Sequence, residues 1–284
     1  MEIQLDCLPC FLRQVLDASR MATHQLDIQK AIIIETAKLI QNYEEYRYSP
    51  SVGREMHSIV KKYTGVSDPY KDVKVRNIKT ALSIYPSLKY FLFKTKDRLY
   101  WALKIAATGN IIDSAIYNDI DVESRVGKEL DREFAVCDID RFEKLLKNCK
   151  TLLIIADNAG ETVFDRVLIE ELLYLNIIYA VRSEPIINDA TAEDVYASDF
   201  NRSVKVVSSG CNAPGTIIEE CSDEFLEIYN NADIVISKGQ GNFETLSEQK
   251  REIFFLLKAK CPIVADRLGV YVGDYVLKSN NHGE

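Results

Sequence analysis

Histidine is scarce in this 284-residue chain: there are three, His24, His57 and His282, far apart in sequence. None stands near a polar motif, so a Ser-His-Asp hydrolase is hard to assemble, and no G-x-S-x-G elbow is present to carry its nucleophile. G-x-G-x-x-G and G-x-x-x-x-G-K-[ST] are also missing, which removes the glycine-lined phosphate turns of dinucleotide binding and P-loop ATP hydrolysis. No run of about 18 uncharged apolar residues occurs, and the opening stretch MEIQLDCLPCF has neither a basic region nor an apolar one. No membrane association is therefore expected, and the expected compartment is the cytoplasm. Positive charge is in deficit: Lys and Arg total 35 against 43 Asp and Glu, a formal net charge of -8. A phosphate backbone is gripped by surplus positive charge, so nucleic acid is not an expected partner. A small anionic molecule is compatible with this balance where positive charge or a metal is concentrated locally.

The seven cysteines, Cys7, Cys10, Cys137, Cys149, Cys211, Cys221 and Cys261, are odd in number and scattered, which argues against a disulfide framework. Cys7 and Cys10 form a C-x-x-C, half of a zinc site, but no second C-x-x-C or H-x-H completes it. The pair lies within the series Leu5, Leu8, Leu12, Val15, Leu16, whose spacing predicts an amphipathic helix, and its cysteines are expected to be packing residues.

What is present is an ordinary globular composition, 47% apolar and 27% charged, long enough for two domains. Residues 1–115 read as a helical N-terminal domain. Ala31–Ile40 is an apolar-rich helical run, Val52–Tyr63 is a helix stopped by Gly65, and Asp68-Pro69 starts another. Pro86 is expected to divide Leu82–Phe93 into two helices, and Asp97 to cap Arg98–Thr108 before Gly109-Asn110. Residues 116–150 are read as a connecting region. From Thr151 the texture changes to short, continuous apolar runs at 152–156, 177–181, 204–207, 234–236 and 263–264, with helical or turn segments between most of them. Strands alternating with helices predict a Rossmann-like, three-layer α/β/α catalytic domain over 151–284 with a mostly parallel sheet.

In such sheets the ligand crevice lies beyond the carboxyl ends of the strands. The residues there are polar: Asp157-Asn158-Ala159-Gly160-Glu161, Arg182-Ser183-Glu184-Pro185 with Asn188-Asp189-Ala190-Thr191, Ser208-Ser209-Gly210, and Lys238-Gly239-Gln240-Gly241-Asn242. Asp157, Asn158 and Asp189 offer two carboxylates and an amide oxygen, hard donors suited to Mg²⁺ or Mn²⁺. Gly160, Gly239 and Gly241 free backbone N–H groups to face an anion, and Lys238 adds the charge that a phosphoryl group needs.

These motifs, with Phe164-Asp165, Phe243-Glu244, Cys7-Leu8-Pro9-Cys10, Gly109-Asn110-Ile111-Ile112-Asp113 and Cys261-Pro262-Ile263, resemble the metal-dependent damage-control phosphatases, in particular their small stand-alone branch. The resemblance spans nearly the whole chain. It implies a metal-dependent phosphomonoesterase acting on small phosphorylated metabolites, among them sugar phosphates and damaged cofactor precursors. One divalent ion, Mg²⁺ or Mn²⁺ with Ni²⁺ or Co²⁺ also admissible, would be held by Asp157, Asn158 and Asp189. Lys238 would bind the phosphate beside the loop from Gly239 to Asn242, which makes Asp157, Asp189 and Lys238 the catalytic set. Glu161 and Asp165 match the family motif and, four apart on a helix, share one face toward the rim. Asn110 and Asp113 would reach across the cleft from the helical lobe, and Ser209 and Asn242 are further substrate candidates. The rival enzyme reading is an S-adenosylmethionine-dependent carboxyl methyltransferase, against which the first turn lacks the glycine-rich form. A metal-regulated scaffold using the C-x-x-C is the rival from outside the enzymes.

Overall fold

The computed structural model describes residues 1–112 and 122–281. Helices α1 (Cys7–Ala22), α2 (Leu26–Ile40), α3 (Ser49–Thr64), α4 (Lys71–Lys94) and α5 (Arg98–Thr108) come first. The remainder runs α6 (Val122–Leu130), β1 (Phe134–Cys137), α7 (Ile139–Leu146), β2 (Thr151–Ile155), α8 (Thr162–Glu171), β3 (Asn176–Val181), α9 (Ala192–Ala197), β4 (Lys205–Ser208), α10 (Asp223–Asn231), β5 (Ile234–Lys238), α11 (Gln240–Leu246), β6 (Phe254–Lys258), α12 (Pro262–Leu268) and β7 (Tyr275–Ser279). The strands form one seven-stranded sheet in the order β1-β7-β6-β5-β2-β3-β4, parallel except for the antiparallel β6–β7 pair. The α/β architecture with a mostly parallel sheet and a helical N-terminal region is the one expected.

The apolar runs form strands because both faces of the sheet are covered. Leu152 and Ile154 point into a core that also holds Ile78 and Leu88 of α4, Leu103 of α5 and Val167 of α8. Leu153 and Ile155 point the other way, against Phe225 of α10, Leu246 of α11 and Val264 of α12. From β2 the chain steps outward to β3 and β4, then returns to β5 on the opposite side of β2. The ends of β2 and β5 thus sit side by side at the point where the strand order reverses, the place for a ligand crevice. Helices α1–α3 form a separate cluster around Phe11, Val15, Ile32, Met56 and Val60. Of the helices preceding residue 115, then, α4 and α5 belong to the sheet's own core, and α1–α3 do not.

Several local expectations need correction. Pro86 lies inside α4 and does not divide it. Loss of one N–H and the ring clash cost about 3 kcal/mol, but Ile84, Leu88 and Leu92 are buried on both sides of it, at about 1.5–3 kcal/mol each. Asp68 receives the amide of Tyr70 at 3.1 Å and pairs with Lys74, so it organises the entry to α4 from ahead of its first turn. Ile263 and Val264 are not a strand: Pro262 opens α12, whose apolar residues Val264, Ala265 and Leu268 follow helical spacing. The stretch read as a connector carries β1 and α7, and β6 and β7 complete the sheet. Gly65 and Asp97 act as expected, the first with φ 70° at the end of α3 and the second accepting the Tyr100 amide at 3.1 Å.

Candidate active site

Two loops are laced together beyond the sheet. The turn after β2 carries Asp157 and Asn158, and the loop after β3 carries Asn188 and Asp189. Backbone bonds join them, Ala159 N–H to Asn188 O at 2.8 Å and Ala190 N–H to Asp157 O at 2.7 Å, so that Asn158 and Asp189 form an antiparallel bridge. Ile187, just before, holds φ 46°, a left-handed conformation unfavourable for a β-branched residue. The loop pays that cost while presenting Asn188 and Asp189 to a cleft of about 470 Å³. Asp157, Asn158 and Asp189 line one side of this cleft, and Cys7, Cys10, Gln14, Ser49 and Pro50 of α1 and α3 line the other. The N-terminal helices therefore roof the rim of the sheet.

Gly239 is required for this geometry. Its φ is +78°, and a Cβ there would lie 2.0 Å from Asp157 Oδ2. The Asp157 carboxylate fills the place where any other residue would carry its side chain. Asn158 Nδ2 donates to Asp157 Oδ2 at 3.2 Å and to Glu161 Oε1 at 2.9 Å, which leaves its carbonyl oxygen as the remaining donor atom for a ligand. Arg182, at the end of β3 and 2% exposed, spreads its guanidinium over three partners: Asp189 Oδ2 at 2.7 Å, Thr216 Oγ1 at 2.8 Å and Asn242 Oδ1 at 3.0 Å.

Lys238 lies one layer deeper. Its ammonium donates to Ala106 O at 3.0 Å, Glu161 Oε2 at 2.9 Å and Asp165 Oδ1 at 2.6 Å. A lysine has three hydrogens to donate, and all three are used. This corrects the expectation of a direct phosphate contact: the side chain turns inward and is the internal counter-charge of α8. The exposed cation lining the cleft is Lys260, two residues past β6.

The electrostatics follow. Burial pushes the Asp157 carboxyl well above its usual range, and the charges of Glu161 and Asp189 push it further, against Lys260 and Arg182. Burial likewise raises Asp189, opposed by Arg182 through charge and hydrogen bond. For Glu161 burial is outweighed by the charges of Lys238 and Lys260 and by the Asn110 side chain, which donates at 2.6 Å, so its carboxyl is held below the usual value. Burial raises Asp165 to about 6, with Lys238 opposing and Tyr179 O–H donating at 2.7 Å. Four buried carboxylates, Asp157, Glu161, Asp165 and Asp189, thus share two buried cations, Lys238 and Arg182. Fully ionised, the four would exceed their buried cations by two charges, and burying charge unpaired is costly, which is why Asp157 and Asp189 are pushed toward their protonated forms. Two carboxylates and an amide oxygen facing one cleft in that field fit a divalent cation.

The other sequence candidates divide as follows. Asn110 donates to Glu161 at 2.6 Å and, like Glu161, does not itself line the cleft. Asp113 lies outside the described residues. Ser209 is buried in a turn with Cys211, its hydroxyl accepting that amide at 3.3 Å, and does not line the cleft. Asn242 spends its amide on the carbonyls of Ala156 at 2.9 Å and Lys238 at 2.7 Å and accepts from Arg182 and Thr216, so it fastens the ends of β2 and β5 together rather than facing a substrate. Gly160 faces α4, where a Cβ would meet Asn77 Cβ at 2.9 Å; its smallness serves helix packing, not anion binding. Cys7, half-buried, packs against the α1–α3 cluster as expected while also lining the cleft, and Cys10 is exposed on the cleft, which corrects its reading as a packing residue. Sequence reasoning assigned no role to Arg182 or Lys260. Lys260 was signalled only by β6, and reading Phe254–Lys258 as a strand puts the residues after it on the same rim.

An acidic cluster on the switch point of a mostly parallel sheet, with donors suited to a divalent cation and a lysine at the mouth, places the chain among the α/β proteins that carry their site at the carboxyl ends of the strands. Residues 3–276 match the damage-control phosphatase ARMT1-like domain, and the chain belongs to that family. It is 36% identical to a damage-control phosphatase of Pyrococcus horikoshii over 99% of each chain, and 30% identical to a damage-control phosphatase of Archaeoglobus fulgidus over 98% of this chain and 99% of the other. An uncharacterized protein of Methanocaldococcus jannaschii is 38% identical over 97% of this chain and 95% of its own. The crystal structure of a DUF89 family protein from Pyrococcus horikoshii superimposes with a TM-score of 0.92 at 36% identity, covering 99% of this chain and 100% of that one.

Proposed function

We propose that this protein is a metal-dependent phosphomonoesterase of small phosphorylated metabolites, sugar phosphates or damaged metabolite phosphates. The observation that carries the reading is the convergence of Asp157, Asn158 and Asp189 on one cleft, with Glu161 and Asp165 buried behind them and two buried cations for the four carboxyl groups. Asp157, Asn158 and Asp189 would hold one divalent ion, Mg²⁺ or Mn²⁺ by their oxygen donors. Such an ion supplies neutralisation of charge on the phosphoryl oxygens and a water of lowered pKa.

The chain's own residues do the rest. Arg182 fixes the Asp189 carboxylate and, through Asn242, its distance from the ends of β2 and β5. Lys238 keeps Glu161 ionised, so that Glu161 orients both Asn158 and Asn110 by accepting from each. Lys260 draws an anion to the mouth and pairs with it there. The faces of α1 and α3 contact the non-phosphate part of the substrate and exclude water from the transferring group. A cleft of about 470 Å³ suits a metabolite and not a macromolecule. Membership of the family and the names of two relatives support phosphate-ester hydrolysis, and none of the relatives supports methyl transfer. No described helix is long and apolar enough to cross a membrane.

The test is a screen of phosphorylated metabolites against Mg²⁺, Mn²⁺, Co²⁺ and Ni²⁺, reading release of inorganic phosphate. Turnover that depends on one of these metals and disappears on chelation is expected. Full activity in the chelated protein, or methyl transfer from S-adenosylmethionine without phosphate release, overturns the reading.

A further inference from the structure

The loop that carries Asn188 and Asp189 is held from two sides. On the sheet side, the bonds to the β2 turn and the Arg182 N–H, which donates to Ala190 O at 3.0 Å, fix residues 188–190. On the other side stands α3. Lys61, half-buried in its last turn, donates from Nζ to Pro185 O at 2.7 Å, and the Ile187 side chain packs against the α1–α3 cluster. We infer that Lys61 and Ile187 are positioning residues, which clamp this loop to α3 and so hold Asn188 and Asp189 against the turn that carries Asp157 and Asn158.

The backbone at Ile187 shows why a clamp is needed. Asp189 N–H returns to Ile186 O at 3.1 Å and closes a turn whose first central residue is Ile187, at φ 46°. Gly, Asn and Asp dominate that position when φ is positive, and a β-branched residue is disfavoured there. Such a conformation persists only where its surroundings over-determine it. Released, Ile187 would turn toward negative φ and carry with it the next two residues, Asn188 and Asp189. The support is firm on the α3 side, since Val52, Met56 and Val60 are fully buried in the α1–α3 cluster. From that fixed helix the Lys61 ammonium makes a charge-assisted bond to the Pro185 carbonyl, stronger than a neutral one. Lys61 does not line the cleft, so its influence on a ligand there passes through the loop. A plain role for Lys61 as a cation at the end of α3 would be met equally by its exposed neighbour Lys62, which shares that last turn. The consequence for metal binding rests on the reading of Asp157, Asn158 and Asp189 as ligands; the clamp itself does not.

The experiment is hydrogen exchange in the chelated protein, read at the amides of Ala159 and Ala190, whose bonds join the two loops. Lys61→Met should speed both on the order of tenfold, as for loss of a hydrogen bond to a charged group. Lys61→Arg, which still donates, should stay near the wild type, and Lys62→Met should change neither amide. At residue 187 the order of effects is diagnostic. Ile187→Ala keeps the strain and loses the apolar contact, whereas Ile187→Gly loses both, so the alanine variant should exchange faster, the reverse of what chain flexibility alone gives. Titration with Mn²⁺ then reads the consequence: affinity should fall in Lys61→Met as well as in Asp189→Asn, and recover in Lys61→Arg. Circular dichroism checks the fold, and the Ile187 pair decides should Lys61→Met misfold. Unchanged exchange in Lys61→Met, or faster exchange in Ile187→Gly than in Ile187→Ala, overturns the clamp. Mn²⁺ affinity lost in Asp189→Asn but kept in Lys61→Met overturns the positioning role. Affinity kept in Asp189→Asn removes the ligand reading instead, and exchange alone then decides the clamp.

Discussion

Replacing Lys238 with methionine separates the two roles open to this residue. The side chain is 1% exposed and its ammonium sits between the carboxylates of Glu161 and Asp165 at 2.9 and 2.6 Å. Methionine is of similar length and keeps the packing, so the change removes the charge and little else. Breaking a buried ion pair from one side costs about 3–5 kcal/mol, because the remaining charge stays buried and unpaired. For a chain of this size each kcal/mol moves the midpoint by about 2–4 °C, so thermal unfolding should begin on the order of 10 °C earlier. The pH dependence has a definite sign. Lys238 has its pKa raised in the folded protein, chiefly by Asp165 and Glu161 against the opposing effect of burial. Its contribution is therefore fully present below the unfolded lysine value and lost only as pH rises beyond it. In the variant the two carboxyls lose their counter-charge and take up protons at higher pH, so the deficit in stability should shrink in acid. The assays are thermal unfolding by circular dichroism from pH 4 to 8 and, in parallel, kcat/KM on the best phosphate ester. Lys260→Met supplies the contrast: at an exposed position it should change stability by less than about 0.5 kcal/mol, while kcat/KM falls about tenfold, ~1.4 kcal/mol. A Lys238→Met protein as stable as the wild type at neutral pH, with activity lost, would refute the assignment and return this lysine to the substrate.

Asp157→Asn and Asp189→Asn should each lower kcat by at least about a hundredfold with the fold intact, as expected when a ligand of a charge-stabilising ion is weakened; retained turnover in either variant removes that residue from the metal set. Gly239→Ala brings a methyl group onto the Asp157 carboxylate and forces a non-glycine residue to φ +78°, so kcat should drop about a hundredfold from misplacement alone; isothermal titration with Mn²⁺ should show the affinity falling with it. His57 is buried with its Nε2 unpartnered, and burial, reinforced by Lys61, lowers its pKa to about 4. The stability it permits is present above pH 6.5 and is lost as pH falls through about 4, so His57→Gln should flatten the acid limb of an unfolding curve measured across that window; an unchanged limb contradicts the assignment.

The centre of the sheet was legible because β2, β3 and β5 are buried on both faces and must be written as unbroken apolar runs. The rim followed at once, since the residues after such runs are the only places where polar groups can gather. Periodicity fails where its physical basis does. Ile253 to Leu257 has the texture of a buried helix as much as of a strand, Phe134–Cys137 is an edge strand of four residues, and Ile263-Val264 is too short to outweigh the proline before it. The site shows the same boundary. The sequence places Lys238 at a strand end, but the direction of a four-carbon stem is decided by Glu161 and Asp165 on a neighbouring helix. That Cys10 and Lys260 line one cleft is a long-range relation between the start of the chain and the segment after β6, which no local spacing records.

The position of β7 bears on how the chain is made. It lies between β1 and β6 in the sheet, so β1 has β7 as its strand neighbour. On the ribosome β1 is complete about 140 residues before β7 is translated, a delay on the order of ten seconds at ~5–20 residues per second. During that time a hydrogen-bonding edge next to an apolar face stands open on a nascent protein whose central strands can already pair. The same arrangement makes Tyr275–Ser279 disproportionately important: a chain without that segment would keep every residue that lines the candidate cleft and leave two strand edges, on β1 and β6, to find partners on other molecules.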